Sequence, residues 1–254
     1  MKAVILAGGK GSRLQKLTDH VPKALLPIGE RSCLDQILSN LYIGGISDAV
    51  IQIGYRGDMI RGIFDKRKRY TIGIEFAEET ETHKKGMAFG IYDARDYVNE
   101  DFLVTACDTV FPFKYIKPFI DYHNLQNNDA TLSIADLGKK KLLVGRSCVE
   151  LQEDNSITRI IEKPSKNRVI STIVSTPMYI FSQKIFDYIP RIKKSRRGEY
   201  ELQSAIQLMI DDGCRVQGYM NEEWNSLENW KMLNDCNDFL RLNFEYMKDL
   251  LELR

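Results

Sequence analysis

Hydrophobic residues in the first hundred positions form short apolar runs that alternate with segments of helical spacing. Four apolar runs predict buried strands, at residues 3–6, 50–53, 74–76 and 102–106. Two segments between them predict helices, one over residues 34–41 that ends at Gly44-Gly45, and a basic one over residues 60–69. This order of strand, helix and strand indicates βαβ units. We therefore expect a Rossmann-like α/β fold with a mixed, mostly parallel sheet flanked by helices.

The second half of the chain is less regular. It predicts strands at residues 131–134, 149–151 and 178–181, separated by polar turns, and a helix over residues 202–210 that stops before Gly213. A last helical stretch carries apolar residues at spacings of three or four, so its apolar face packs on the domain or on a second copy of the chain. We expect one domain over residues 1–254, with halves at 1–110 and 111–227 and a C-terminal helix at 228–254. The second half is expected to contain a small β insertion.

Composition and charge narrow the classes of protein. A chain of 254 residues with 43% hydrophobic residues can bury a large core. The net charge of +1 does not favour nucleic acid as a partner. No apolar run approaches the ~18 residues of a membrane span. Five cysteines without a CxxC pair predict reduced thiols, no zinc site and a cytoplasmic protein.

The strongest motif follows the first strand and reads Leu6-Ala7-Gly8-Gly9-Lys10-Gly11-Ser12-Arg13-Leu14. Glycines after a strand let the backbone approach phosphate oxygens without a Cβ in the way. Arg13 adds a fork of donors that can hold a polyphosphate at two points, and Lys23, after Pro22, adds a point charge. The motif is neither GxxxxGK[ST] nor GxGxxG, so it predicts neither a P-loop nor a dinucleotide site.

Residues 1–28 closely resemble the N-terminal signature of the sugar-1-phosphate nucleotidyltransferases, also called NDP-sugar pyrophosphorylases. These enzymes join an NTP to a sugar 1-phosphate and release pyrophosphate. The resemblance covers nearly the whole chain and implies an enzyme with a nucleotide-binding half followed by a sugar-binding half. It implies that Arg13 contacts the triphosphate and Lys23 the phosphates at the reacting centre. The nucleotide-binding residues that it implies in this first segment are Leu6, Ala7, Gly8, Gly9, Gly11 and Ser12.

Later segments extend the resemblance. Glu78 and Gly86 lie in segments similar to those that contact the base and the sugar, which adds both to the nucleotide-binding residues. Glu162-Lys163-Pro164 resembles a family motif whose lysine meets the sugar phosphate, and Glu201 resembles an acidic sugar-binding residue. Lys163 is thereby expected to be catalytic, and Glu162 and Glu201 to bind the sugar phosphate. The basic run over residues 191–197 is interpreted as a solvated face, with an electrostatic funnel for phosphates as the alternative.

The resemblance implies Mg²⁺ as the cofactor, held by Asp108, which also belongs to the sugar-phosphate site. Cys107 stands where the family has a glycine, and Ser226 stands where it has a second metal-binding aspartate. Ser147 and Pro177 replace further glycines that line the family's sugar pocket. We therefore expect an altered sugar pocket and an ion that depends on one carboxylate.

The chemistry that the resemblance implies crowds several negative charges together, so catalysis is mainly positioning and charge neutralisation. Arg13, Lys23, Lys163 and Mg²⁺ at Asp108 meet that demand. Two alternatives stay open. One is a catalytically weak nucleotide-sugar-binding or regulatory homologue, favoured by Ser226, and the other is a nucleotidyltransferase for a non-sugar phosphate. The glycine loop is shared by enzymes for GTP, dTTP, UTP and CTP, so the base stays open as well.

Overall fold

The computed structural model describes residues 1–11, 14, 18–28, 31–65, 72–80, 86–221 and 225–226. The strands in chain order are β1 (Ala3–Leu6), β2 (Pro27–Ile28), β3 (Arg31–Ser32), β4 (Asp48–Ile53), β5 (Gly73–Glu78), β6 (Phe102–Ala106), β7 (Thr109–Val110), β8 (Ala130–Asp136), β9 (Cys148–Leu151), β10 (Ile157–Ile161), β11 (Ile173–Phe181), β12 (Val216–Met220) and β13 (Asn225–Ser226). The α-helices are α1 (Cys33–Ile43), α2 (Gly57–Phe64), α3 (Met87–Asp93), α4 (Ile116–Gln126), α5 (Ile185–Tyr188) and α6 (Leu202–Asp211).

Nine of the described strands form one sheet, in which β10-β9-β11-β6-β1-β4-β5 are neighbours and β8 joins β11 to β12. Strands β6, β1, β4 and β5 run parallel to one another. Strand β11 runs antiparallel to β6, β8 and β9, and β10 is antiparallel to β9. The expected Rossmann-like mixed sheet is confirmed, and its antiparallel part lies in the second half of the chain.

Helices cover both faces of the parallel strands because neighbouring residues of a strand point to opposite faces. In β1, Ala3 and Ile5 join one core cluster, which also contains the apolar residues of α1 and α2. Val4 joins a second cluster with apolar residues of α3 and α6. Helix α1 begins with a capping box, because Ser32 Oγ accepts the Asp35 N–H and the Asp35 carboxylate accepts the Ser32 N–H.

Most of the predicted elements lie where the sequence places them. The helix predicted over residues 60–69 corresponds to α2, and residues 66–71 lie outside the described residues, as does the predicted C-terminal helix over 228–254. Helices α3, α4 and α5 and strands β2, β3, β7, β10, β12 and β13 were not predicted. No helix among the described residues is long and apolar enough to cross a membrane.

Candidate active site

A cleft of about 1020 Å³ opens at the carboxyl ends of the parallel strands. Ligands of open α/β sheets bind at this edge, because the loops that leave the strands converge there. Strand β1 delivers the glycine loop to the cleft, β4 delivers Gln52 and Gly54, and β6 delivers Asp108. Strand β11 and the segments around β10 and α6 line the other end of the same cleft. One cavity therefore joins the parallel and antiparallel parts of the sheet.

The glycine loop begins with a close approach to β4. Gly8 N–H donates to Gln52 Oε1 over 3.2 Å, and a Cβ at Gly8 would lie only 2.7 Å from that oxygen. A Cβ there would therefore force the Gln52 side chain to move. Ala7 is buried under the loop, where its N–H donates to the Gln52 carbonyl. Leu6, Gly8, Gly9 and Gly11 line the cleft, whereas Ala7 supports the loop from below.

A buried polar network holds Gln52 in place. Its Nε2 donates to Asp93 Oδ2 over 3.2 Å, and Asp93 Oδ1 accepts both the N–H and the hydroxyl of Thr80. Gln52 and Asp93 are buried, and both line the cleft. Each buried polar group in the network has a hydrogen-bond partner. The network therefore fixes the orientation of the glycine loop at a low cost in free energy. It joins β1, β4, the end of β5 and α3 at one corner of the cleft.

Lys23 and Asp108 form the shortest of the ion pairs that involve cleft residues among those described. Lys23 Nζ lies 2.5 Å from Asp108 Oδ2, and Asp108 Oδ1 accepts the Thr109 hydroxyl over 3.1 Å. The Cys107 thiol beside them is buried, and burial raises its pKa to about 12, with the Asp108 charge adding to the effect. Burial therefore keeps this thiol protonated at neutral pH.

The Asp108 carboxylate suits a hard divalent cation that would also be coordinated by oxygen atoms of a substrate. No group of three or more His, Cys, Asp or Glu side chains able to hold a metal occurs among the described residues. One carboxylate suits Mg²⁺, which keeps waters and binds substrate phosphates alongside one or two carboxylates. Strand β13 pairs with β7 so that Ser226 lies opposite Thr109, next in sequence to Asp108. The backbone register thus places position 226 near Asp108.

The opposite end of the cleft carries a cluster of acidic side chains bridged by Arg197. Arg197 Nη2 lies 2.6 Å from Glu201 Oε1 and 3.5 Å from Glu162 Oε1, and Lys163 Nζ lies 3.5 Å from Glu162 Oε1. The Ser195 hydroxyl also donates to Glu201 Oε1 over 2.7 Å. Two cations thus offset the buried Glu201 and the largely buried Glu162. Arg197 belongs to the predicted basic run, and it faces this cluster instead of forming part of a solvated face.

Burial is the main influence on the pKa of the Glu162 carboxyl. It raises the pKa of this carboxyl above the ordinary value, Lys163 and Arg197 lower the pKa in part, and Glu201 raises it further. Lys163 has a φ of 43°, in the left-handed region that favours glycine. A lysine in this conformation is strained, and strain of this kind is concentrated at functional sites. The local fold keeps the Lys163 side chain in the cleft despite that cost.

Strand β11 lines this acidic end of the cleft with polar side chains, and its pairing is irregular at that point. Its register with β8 shifts between Ser175 and Tyr179, a stretch that contains Pro177. Proline has no N–H to donate to the sheet and is found at edges and bulges. Ser175 is buried and lines the cleft with Ser147 and Tyr179. Burial raises the pKa of the Tyr179 hydroxyl, so it stays protonated.

Gly86 joins the two sides of the cleft. Its φ is 136°, and a Cβ there would lie 2.2 Å from the Tyr200 carbonyl oxygen. Only glycine fits this contact between the start of α3 and the segment before Glu201. Glu78 does not line the cleft, because its carboxylate pairs with Arg61 over 2.5 Å and is largely exposed. Its neighbour Glu79 lines the cleft, with Oε2 packed over Gly54.

Most of the site residues predicted from the sequence meet in this cleft. Those that line it are Leu6, Gly8, Gly9, Gly11, Gly86, Asp108, Glu162, Lys163 and Glu201. Lys23 reaches it through Asp108, whereas Ala7 and Glu78 do not line it. Ser12 and Arg13 lie outside the described residues. The two ends of the predicted site are therefore brought together by the fold.

Sequence reasoning did not select Gln52, Asp93 or Arg197. A polar residue in an otherwise apolar strand is a usable signal, and Gln52 has it, since it interrupts the run of β4 next to the carboxyl end. Asp93, at the end of an unpredicted helix, offered no such pattern. Arg197 was one of several basic residues in a row, and only the tertiary contacts distinguish it from its neighbours.

Comparison with known proteins agrees with the geometry. Residues 2–243 match the family model described as nucleotidyl transferase. The low-salt glycan biosynthesis nucleotidyltransferase Agl11 of Haloferax volcanii is 26% identical over 98% of this chain and 67% of its own length. The UTP–glucose-1-phosphate uridylyltransferase AglF of the same organism is 29% identical over 88% of this chain and 89% of its own length.

A solved structure gives the same fold. The crystal structure of a UDP-glucose pyrophosphorylase complexed with UDP-glucose superposes with a TM-score of 0.83, over 94% of this chain and 98% of that one. At 16% identity this likeness shows the fold alone. Other relatives are longer: the chain spans 56% of the bifunctional protein GlmU of Methanococcus aeolicus, to which it is 28% identical over 96% of its own residues.

Proposed function

The chain belongs to the nucleotidyl transferase family, and on that premise we propose that it transfers a nucleoside monophosphate from an NTP to a sugar 1-phosphate. The products are an NDP-sugar and pyrophosphate. The observation that carries the proposal is a single cleft with two different ends. One end has the glycine loop and the Lys23–Asp108 pair, and the other has Lys163 beside the acids Glu162 and Glu201.

The nucleotide binds at the first end. Gly8, Gly9 and Gly11 bring backbone close to the phosphates, and the buried Gln52 and Asp93 keep the loop in register with β4. Lys23 supplies positive charge for phosphates beside Asp108, and Arg13 supplies a second cation. Asp108 would hold Mg²⁺, which when bound neutralises charge on the phosphate oxygens. The NTP is therefore held by backbone and cations, as a polyanion requires.

The sugar 1-phosphate binds at the second end. Lys163 neutralises its phosphate, and the carboxylates of Glu162 and Glu201 accept hydrogen bonds from sugar hydroxyls. Ser175 is buried in the same wall of the cleft and offers a further polar contact. A carboxylate can accept several hydroxyl hydrogen bonds, and such charge-assisted bonds are stronger than neutral ones. These groups support a sugar in preference to a small non-sugar phosphate.

The reaction needs no covalent intermediate on the protein. An oxygen of the sugar phosphate attacks the α-phosphorus, a new P–O bond forms, and the bond to the β-phosphate oxygen breaks so that pyrophosphate leaves. The protein holds the two anions together and offsets their repulsion with Lys23, Lys163 and Arg13.

We also propose a cytoplasmic location for this activity. Cys107, Cys148 and Cys214 carry free thiols, which is usual for proteins in reducing compartments. NTP substrates are likewise intracellular metabolites.

The proposal is tested by a pyrophosphate-release screen of GTP, dTTP, UTP and CTP against a panel of sugar 1-phosphates with Mg²⁺. We expect release from at least one pair, only when both substrates are present. Each substrate alone is the control for simple hydrolysis. No release from any pair, combined with calorimetric binding of an NDP-sugar, would replace the enzyme by a nucleotide-sugar-binding homologue.

A further inference from the structure

Lys23 makes a contact that the proposed reaction does not by itself require. Its ammonium lies 2.5 Å from Asp108 Oδ2, and only 11% of the Lys23 side chain is exposed. The other oxygen of Asp108 accepts the Thr109 hydroxyl over 3.1 Å. Both oxygens of the carboxylate expected to hold the metal are thus engaged by side chains of the protein itself.

The stem of Lys23 also touches the glycine loop. A Cβ at Gly11 would lie 3.2 Å from both Cβ and Cδ of Lys23, so the loop packs directly on this aliphatic chain. The Thr18 hydroxyl donates to the Gly11 carbonyl over 3.1 Å and fastens the loop on its other side. One side chain therefore connects the loop that receives the nucleotide to the carboxylate that receives the metal.

We propose that Lys23 is an internal counter-cation that occupies Asp108 until the triphosphate arrives, and that it thereby couples metal binding to nucleotide binding. The inference rests on the proposed function for the identity of the two ligands. It concerns the order and cooperativity of their binding and not the chemical step.

The physical basis is a competition between cations. In the protein without nucleotide, a divalent ion at Asp108 must displace the Lys23 ammonium and leave it unpaired beside a second positive charge. This costs free energy, so the ion binds weakly. When the triphosphate is present, its oxygens give Lys23 a new partner and supply further ligands to the ion. Asp108 becomes available at the moment when the metal is needed.

A coupling of this kind is reciprocal, since each ligand must raise the affinity for the other by the same factor. Lys10 provides a contrast in the same loop. Its ammonium pairs with Asp19 over 3.8 Å, and 55% of its side chain is exposed. Lys10 does not touch Asp108 in this arrangement, so it carries a similar charge in the same cleft without blocking the carboxylate.

The test measures Mn²⁺ binding to the nucleotide-free protein by electron paramagnetic resonance, since Mn²⁺ prefers the same oxygen ligands as Mg²⁺. Lys23→Met keeps the aliphatic stem and removes the charge, and we expect it to bind Mn²⁺ about tenfold more tightly than wild type. Adding Asp108→Asn to this variant should abolish the gain. Lys23→Gln gives a second neutral form, and thermal melts report whether each variant folds.

Lys10→Met and Lys163→Met are the matched controls, because each removes one cleft charge that does not contact Asp108. We expect their Mn²⁺ affinities to stay within about twofold of wild type. The proposal is overturned if Lys23→Met and Lys23→Gln bind Mn²⁺ no more tightly than wild type, or if both controls gain as much. Since no nucleotide or sugar enters this experiment, a failed pyrophosphate screen would refute the proposed reaction and leave the Mn²⁺ result to be judged separately.

Discussion

The two ends of the cleft differ in the groups that they present to a ligand. At the nucleotide end, on the parallel strands, the contacts come from a backbone loop and from one ion pair between Lys23 and Asp108. At the sugar end, on the antiparallel strands, they come from acidic side chains that Arg197 and Lys163 bridge. A polyphosphate needs donors and cations, and a sugar needs acceptors for its hydroxyls. The difference agrees with the proposed function, in which each part of the sheet serves one substrate.

The two ends also differ in strain. At the nucleotide end, the tight approaches are made by glycines such as Gly8, which has no Cβ to clash. At the sugar end, Lys163 itself adopts the left-handed conformation, and Glu162 is largely buried, which raises its pKa. The sugar end therefore holds conformational and electrostatic cost in residues that we propose to bind the sugar phosphate. Substitutions there should affect stability and binding together.

The largest effect is expected for Asp108→Asn, which removes the carboxylate at the reacting centre. We expect turnover to fall by roughly 10³-fold or more, because an amide cannot neutralise a metal ion. The side chain keeps its shape, so the melting temperature should stay within a few degrees of wild type. Pyrophosphate release and thermal melts measure both quantities. Full activity of Asp108→Asn would show that Asp108 does not hold the metal ion.

The next largest effect is expected at Lys163. Two variants distinguish the contribution of its side-chain charge from that of its backbone conformation. Lys163→Ala should raise KM for the sugar 1-phosphate by about tenfold or more and KM for the NTP much less, since a charged contact is lost. Lys163→Gly should show the same KM split. It should also unfold with a free energy about 1 kcal/mol higher than Lys163→Ala, because glycine adopts positive φ without strain. Equal effects on the two KM values would place Lys163 away from the sugar phosphate.

A smaller effect is expected from the raised pKa of Glu162. Because the folded state binds this proton more tightly than the unfolded state, wild-type stability falls as pH rises from the ordinary value of 4.5 through the folded pKa. Glu162→Gln cannot titrate, so its melting temperature relative to wild type should rise between pH 4 and pH 7 by a few degrees. Glu199→Gln, at a more exposed acid near Arg197, is the control for loss of one charge. A difference that does not change with pH would contradict this account of the buried carboxyl.

The smallest effect is expected at Ser226, whose backbone pairs with Thr109. Ser226→Asp adds a second carboxylate beside Asp108, so the Mg²⁺ concentration for half-maximal rate should fall by about two- to fivefold. Ser226→Asn has a similar size and no charge, and it should leave the magnesium requirement unchanged. A magnesium titration of the rate compares the three proteins. An unchanged requirement in Ser226→Asp would show that position 226 does not face the metal.

The nucleotide end was largely predictable because its determinants are local. The glycine loop follows β1 directly, and Asp108 follows β6, so the carboxyl edge of a parallel sheet brings both together. The sugar end depends on contacts between distant segments. Glu162 follows β10 and Arg197 precedes α6, and the tertiary fold brings the two side chains together. No spacing in the sequence predicts that contact.

The missed elements have identifiable physical causes. Helix α4 has Pro118 in its first turn, where proline is tolerated, although proline in a sequence usually argues against a helix. Pro177 lies within β11 at the register shift, so the predicted strand at 178–181 covers only the end of a longer one. Polar positions such as Gln52 were included in a strand without being recognised as part of the site.

The central claim is that an oxygen of the sugar phosphate attacks the α-phosphorus of the NTP. It is tested most directly with a sugar 1-phosphate whose three non-bridging phosphate oxygens are ¹⁸O, in the substrate pair that releases pyrophosphate. Mass spectrometry should find all three labelled oxygens in the NDP-sugar and none in the pyrophosphate. Label in the pyrophosphate, or pyrophosphate released without any NDP-sugar, would contradict the proposed reaction.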